Sequence, residues 1–162
     1  MKILSNIGIG PMSTEIIDII SDFALENKKN IMLISSRNQI DKNELGIGYV
    51  NNFSTKEYSN YVKNKKNNYL HLCRDHSGPL LKDIEKKISF NESLEKTKES
   101  LREDIINDFK LLHIDTSMCK KKYKVAEDLI SFCDTIASKF KKKIFYEFGT
   151  EDHGTKVAIK KF

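Results

Sequence analysis

Asp75 and His76 are adjacent, and they end an apolar, β-leaning run, Tyr69–Cys73. Gly78 and Pro79 then forbid any continuation. A carboxylate beside an imidazole where a strand gives way to a turn suits proton transfer or metal ligation. The pattern recurs along the chain. Asn30–Ser35 runs into Arg37, Asn38 and Gln39; Phe109–Ile114 runs into Asp115, Thr116 and Ser117; Lys143–Phe148 runs into Gly149, Thr150, Glu151, Asp152 and His153. In a parallel sheet all strand C-termini share one rim, so Arg37, Asn38, Gln39, Asp75, His76, Asp115 and Glu151 are expected to converge. Taken alone, Asn38 and Ser117 are equally read as the first exposed residues after a strand. Arg37 and Arg74 could bind phosphate or pair with Asp75. His71 and His113 are as readily hydrogen-bonded core histidines as ligands, and His153 lies in a polar tail.

The elements that would position these groups alternate. Lys2–Ile9 reads as a weak strand, closed by Gly10 and Pro11. Ser13 is a good helix N-cap, and Ile16, Ile17, Ile20 and Phe23 recur at helical spacing to Glu26. After the Asn30–Ser35 strand comes an Asn- and Gly-rich loop, then a helix from Ser54 to about Lys63, with Ser54 and Glu57 forming a capping box. Arg74–Pro79 reads as a turn, and Leu80–Phe90 is ambiguous. A third helix runs from about Glu92 to Asp108, with Leu94, Leu101 and Ile105 on one face. Val125, Leu129, Phe132 and Ile136 mark a fourth. The order β-α-β-α-β-α-β-α-β predicts one α/β domain over 1–162 with a parallel sheet, closed as a barrel or open.

Composition agrees with a soluble globular class. Hydrophobic residues make up 39% and charged residues 31% of the 162. No apolar run approaches the roughly 20 residues of a membrane span. Cys73, Cys119 and Cys133 are odd in number and lack metal spacing, which suits a reducing, cytoplasmic setting. The net charge of +5 arises from short lysine clusters, Lys63/Lys65/Lys66, Lys120–Lys122 and Lys141–Lys143. With no aromatic-interleaved basic stripe, they read as solvated helix ends and not as a nucleic-acid surface. Gly8-x-Gly10 and Gly46-x-Gly48 lack the spacing and context of phosphate-binding fingerprints.

The ordered pieces Ser36-x-Asn38-Gln39, Gly48-Tyr49, Asp75-His76-x-Gly78-Pro79, His113-Ile114-Asp115-x-Ser117-Met118 and Gly149-Thr150-Glu151 resemble the D-tagatose-1,6-bisphosphate aldolase non-catalytic subunit family (the GatZ/KbaZ type). That family is similar in turn to class II ketose-bisphosphate aldolases. The resemblance implies a (β/α)8 TIM barrel acting on phosphorylated sugars by aldol cleavage or epimerisation through a metal-assisted enediolate. It makes Asp75 the general acid/base, His76, Asp115 and Glu151 ligands of a divalent metal, zinc above all, and Arg37, Asn38, Gln39 and Ser117 substrate contacts. Glu147 is a further acidic candidate in the last strand. A closed barrel typically takes about 250 residues. About five strand units therefore imply a partial barrel: a fragment, or a chain completed by a catalytic aldolase subunit or another copy. The other zinc-binding histidines of class II aldolases lie on later strands. The alternative by length is an open parallel sheet of flavodoxin type.

Overall fold

The computed structural model describes residues 4–149. Five strands and four helices alternate: β1 (Gly8–Ile9), α1 (Thr14–Asn27), β2 (Ile31–Ser36), α2 (Thr55–Asn64), β3 (Leu70–Ser77), α3 (Phe90–Ile106), β4 (Leu111–Asp115), α4 (Lys122–Phe140) and β5 (Phe145–Gly149). Local chemistry sets the helix starts. The Ser13 hydroxyl accepts from the Ile16 N–H, Ser54 and Glu57 form the expected capping box, and Ser89 accepts from the Glu92 N–H. Ser89 therefore starts α3 two residues before the expected Glu92. Lys28 and Lys141 close α1 and α4 in the left-handed conformation.

The strands pair in parallel in chain order, β1-β2-β3-β4-β5. The order never reverses, so the sheet lacks the switch point of a doubly wound fold, and the flavodoxin-type expectation is corrected. Among the described residues β1 pairs only with β2 and β5 only with β4. The sheet is thus an open parallel one; closure is not part of what these residues display. Right-handed crossovers in this order place the helices on a single face. One register row demonstrates it: Ser35, Arg74, Leu112 and Tyr146 are successive partners across β2–β5. Of that row, Ser35 meets Tyr58 of α2, Arg74 meets Asp104 of α3, and Tyr146 meets Asp134 of α4. Between sheet and helices lies the core, built on Ile17, Ile31, Leu33, Leu101, Ile105, Leu112, Ile114 and Leu129. The opposite face carries Met32, Ile34, His71, Asp75, Leu111, His113, Phe145 and Glu147. Along β2 burial alternates accordingly, full at Ile31, Leu33 and Ser35 and partial at Met32, Ile34 and Ser36.

Three expectations change at element ends. Of the described part of the first run, only Gly8–Ile9 forms a strand. Leu80–Phe90 holds a single 3-10 turn, Asp83–Glu85, before α3. Arg74, Asp75 and His76 belong to β3 and do not form a turn after it. No helix among the described residues is long and apolar enough to cross a membrane.

Candidate functional site

In a regular strand Asp75 and His76 would point to opposite faces. Here Arg74 pairs with Leu112 and Ser77 with Ile114, so Asp75 and His76 together oppose His113 alone. This is a β-bulge, and His76 sits within it at φ 46°. Gly78 follows because β3 exits against β4: a Cβ at 78 would lie 1.6 Å from the Asp115 carbonyl oxygen. The bulge brings three groups together on the sheet face opposite the helices. His76 Nδ1 lies 2.7 Å from Asp75 Oδ2, and His113 Nδ1 lies 3.0 Å from Asp75 Oδ1. One ligand atom from each of Asp75, His76 and His113 falls within 4.8 Å of the others. Asp115 Oδ2 stands 3.8 Å from His76 Nε2, and its Oδ1 accepts from the Ser117 N–H.

The charges follow from these contacts. Burial works to raise the Asp75 pKa, but hydrogen bonds from His113 and His76 outweigh it and hold the carboxyl at about 2. Asp75 is therefore an anion, fitted to bind a cation. Burial works against protonation of His113. The Asp75 hydrogen bond and the charges of Glu147, Asp115 and Asp75 prevail, and its pKa is raised. His113 Nδ1 also lies 3.3 Å from the His76 N–H. Once Nδ1 carries a proton it donates to Asp75 and cannot accept there. Two imidazoles and a carboxylate, one imidazole half exposed, form a nitrogen/oxygen donor set of the kind zinc and similar divalent metals take. Among the described residues this set fits such a metal.

Other expected site residues are placed differently. Arg37 is 1% exposed and lies behind the rim. Its guanidinium bonds Asp41, Glu85 and Thr97, and Lys82 and Ser100 complete the cluster on Asp41. The expectation that Arg37 faces a substrate is corrected: its donors are taken by two loops and α3. Arg74 neither pairs with Asp75 nor reaches a ligand, because it faces the helices in a bidentate pair with Asp104. Gln39 is 9% exposed and braces its own turn, accepting from the Ser36 N–H and donating to the Pro11 carbonyl. Asn38 accepts from the Asp83 N–H, tying the loop after β2 to the loop after β3. Glu151 and His153 lie outside the described residues. His71 contacts Asn30 toward the start of β3, well before the rim, and burial lowers its pKa. His113 is the member that sequence reasoning left undecided. Its signal was parity with Asp115, two positions on along one strand and on the same face.

No protein-family model matches the chain, and no curated protein matches it in sequence. Among solved structures it is similar to one described as a probable tagatose 6 phosphate kinase from Sinorhizobium meliloti 1021. The TM-score is 0.75 at 19% identity, over 94% of this chain and 40% of that chain. The likeness is one of fold, and this chain spans 40% of that protein's length.

Proposed function

We propose that Asp75, His76 and His113 bind a divalent metal, and that the chain serves sugar-phosphate metabolism in an aldolase- or epimerase-type role. The observation that carries this reading is the bulge that turns Asp75 and His76 onto one face against His113. It is supported by the ordered motif resemblance and by the structural neighbour, a probable tagatose 6 phosphate kinase, in so far as that protein acts in sugar-phosphate metabolism. A metal held there supplies Lewis acidity toward a ketose carbonyl. Asp75, ionised and anchored between two imidazoles, is the group to accept the proton released as an enediolate develops. His113 holds that carboxylate in place and takes up part of its charge. Asp115 restrains His76 from the far side and fixes the Ser117 backbone. Asn38 and Ser117 remain the substrate contacts. Glu151 is kept as an expected ligand, and the proposed fold is a partial barrel.

The test is calorimetric titration of full-length, chelator-treated protein with zinc or cobalt, followed by assays of ketose bisphosphate cleavage and ketose phosphate epimerisation. Stoichiometric binding lost in His113→Ala, with turnover lost in Asp75→Asn, is the expected result. Absence of metal binding to the folded wild type would sink the reading.

A second reading has its own observation. The sheet face opposite the helices, and the edges of β1 and β5, which among the described residues pair only with β2 and β4, suit a partner subunit whose barrel is completed by a catalytic aldolase chain. In that case the purified chain is inactive and raises the activity or the melting temperature of such an aldolase. An effect on neither would exclude it.

A further inference from the structure

Helix α1 is more apolar than one buried face requires. Ile17, Ile20 and Ala24 enter the core. Asp18 and Ser21 mark the side toward α2, through Tyr61, Lys65 and Asn67. At 3.6 residues per turn, Ile16, Ile19 and Phe23 fall on the flank opposite α2. They are 36%, 69% and 47% exposed. Met12 and Tyr49, in contact with each other just before the helix start, are exposed as well. The flank is the one on which a helix preceding α1 in the layer would pack, and beneath it β1 pairs, among the described residues, only with β2. A contiguous apolar patch of this kind marks an interaction surface.

Charge selects the occupant. Glu15, Asp22 and Glu26 are exposed and line the outer border of the stripe. Two copies of α1 packed antiparallel would set Glu15 against Glu26, and packed parallel would set Glu15 against Glu15. Either arrangement places like charges at close range. We infer that this flank of α1 docks a helix of a different polypeptide, one whose apolar stripe is bordered by lysine or arginine. The surface stands apart from the metal donors and does not depend on them.

The test uses two fluorescent 18-residue helical peptides with the same leucine stripe, one bordered by lysine and one by glutamate. Each is titrated into the full chain and followed by anisotropy at low and high salt, with sedimentation velocity on the chain alone. The lysine peptide should bind at least tenfold more tightly than the glutamate peptide, and the difference should shrink with salt. Ile19→Asp should abolish binding while leaving the circular dichroism melt unchanged, since Ile19 is the most exposed residue of the stripe. Asp22→Lys with Glu26→Lys should reverse the preference. Equal binding of the two peptides, or binding insensitive to Ile19→Asp, would overturn the inference. So would a homodimer dispersed by Ile19→Asp, which would make a second copy the occupant.

Discussion

Replacing Asp104 by asparagine should cost the fold about 3–5 kcal/mol, the penalty of leaving a buried charge without its partner. Both side chains of the Arg74–Asp104 pair are 0% exposed. The guanidinium meets Asp104 at 2.6 and 2.8 Å and also donates to the Ser35 and Ile40 carbonyls and the Thr55 hydroxyl. It thus joins the ends of β2 and β3 to α2 and α3. Asparagine keeps the shape but removes the counter-charge, and the cation cannot reach water. For a chain of this length the loss corresponds to a melting-temperature drop of roughly 6–20 °C, at about 2–4 °C per kcal/mol. Arg74→Met with Asp104→Leu removes both charges. It still forfeits the hydrogen bonds to Ser35 and Ile40, at roughly 1–3 kcal/mol for each stranded carbonyl. The double variant should nevertheless be more stable than Arg74→Met plus Asp104→Leu taken additively, by at least about 1 kcal/mol. Urea unfolding of Asp104→Asn and of the four proteins of the cycle, with slopes compared to detect altered denatured states, reads out both effects. A cost below about 1 kcal/mol for Asp104→Asn, or an additive cycle, would refute the view that this pair is dry and mutually dependent.

Other perturbations test the site. In chelator the Asp75–His113 contact should stabilise most between about pH 4 and 6.5: the depressed Asp75 pKa gives stability that is lost as pH falls toward 2, and the raised His113 pKa gives stability that is lost as pH climbs through its folded value. Asp75→Asn should remove about 1 kcal/mol in that window, the figure being reduced because the carboxyl is a third exposed, and a difference from wild type that is flat with pH would contradict it. Gly149→Ala places a Cβ 2.3 Å from His113 Nε2; the ring must swing away from Asp75, and the His113 pKa, followed by imidazole NMR, should fall toward its ordinary value, with a loss of stability similar to that of Asp75→Asn. Burial pushes the Cys73 thiol up to about 12 and raises those of Cys119 and Cys133. Alkylation at pH 8 should therefore run far slower in folded than in urea-unfolded protein, and equal rates would show these thiols to be accessible.

The alternation of elements was legible because helices and buried strands write different periods into the chain. The Ser54–Glu57 capping box was legible because both partners are local. What escaped notice depends on contacts between distant residues. Arg37 and Arg74 follow buried strands as rim residues should, but their partners, Glu85, Thr97 and Asp104, lie 30 to 60 positions away. Only the packed structure turns those arginines inward. The motif Asp75-His76 drew attention to the right stretch of chain, yet a bulge has no composition of its own, so the residues were read as lying beyond the strand. His113 gained meaning only from its register opposite that bulge.

The buried cluster of Arg37, Asp41, Lys82 and Glu85 balances two positive charges against two negative ones, with Ser93, Thr97 and Ser100 supplying hydroxyls from α3. It welds the loops after β2 and β3 to one helix. To lift either loop would strand unpaired charges in a dry interior, so neither works as a lid. The loop after β4 is held by other means: the Ser117 N–H donates to Asp115, the Thr116 N–H donates to the Gly149 carbonyl, and Cys119 enters the core while Met118 stands in solvent. The side of the rim formed by the loops after β2 and β3 is therefore a wall that stays still when a molecule binds.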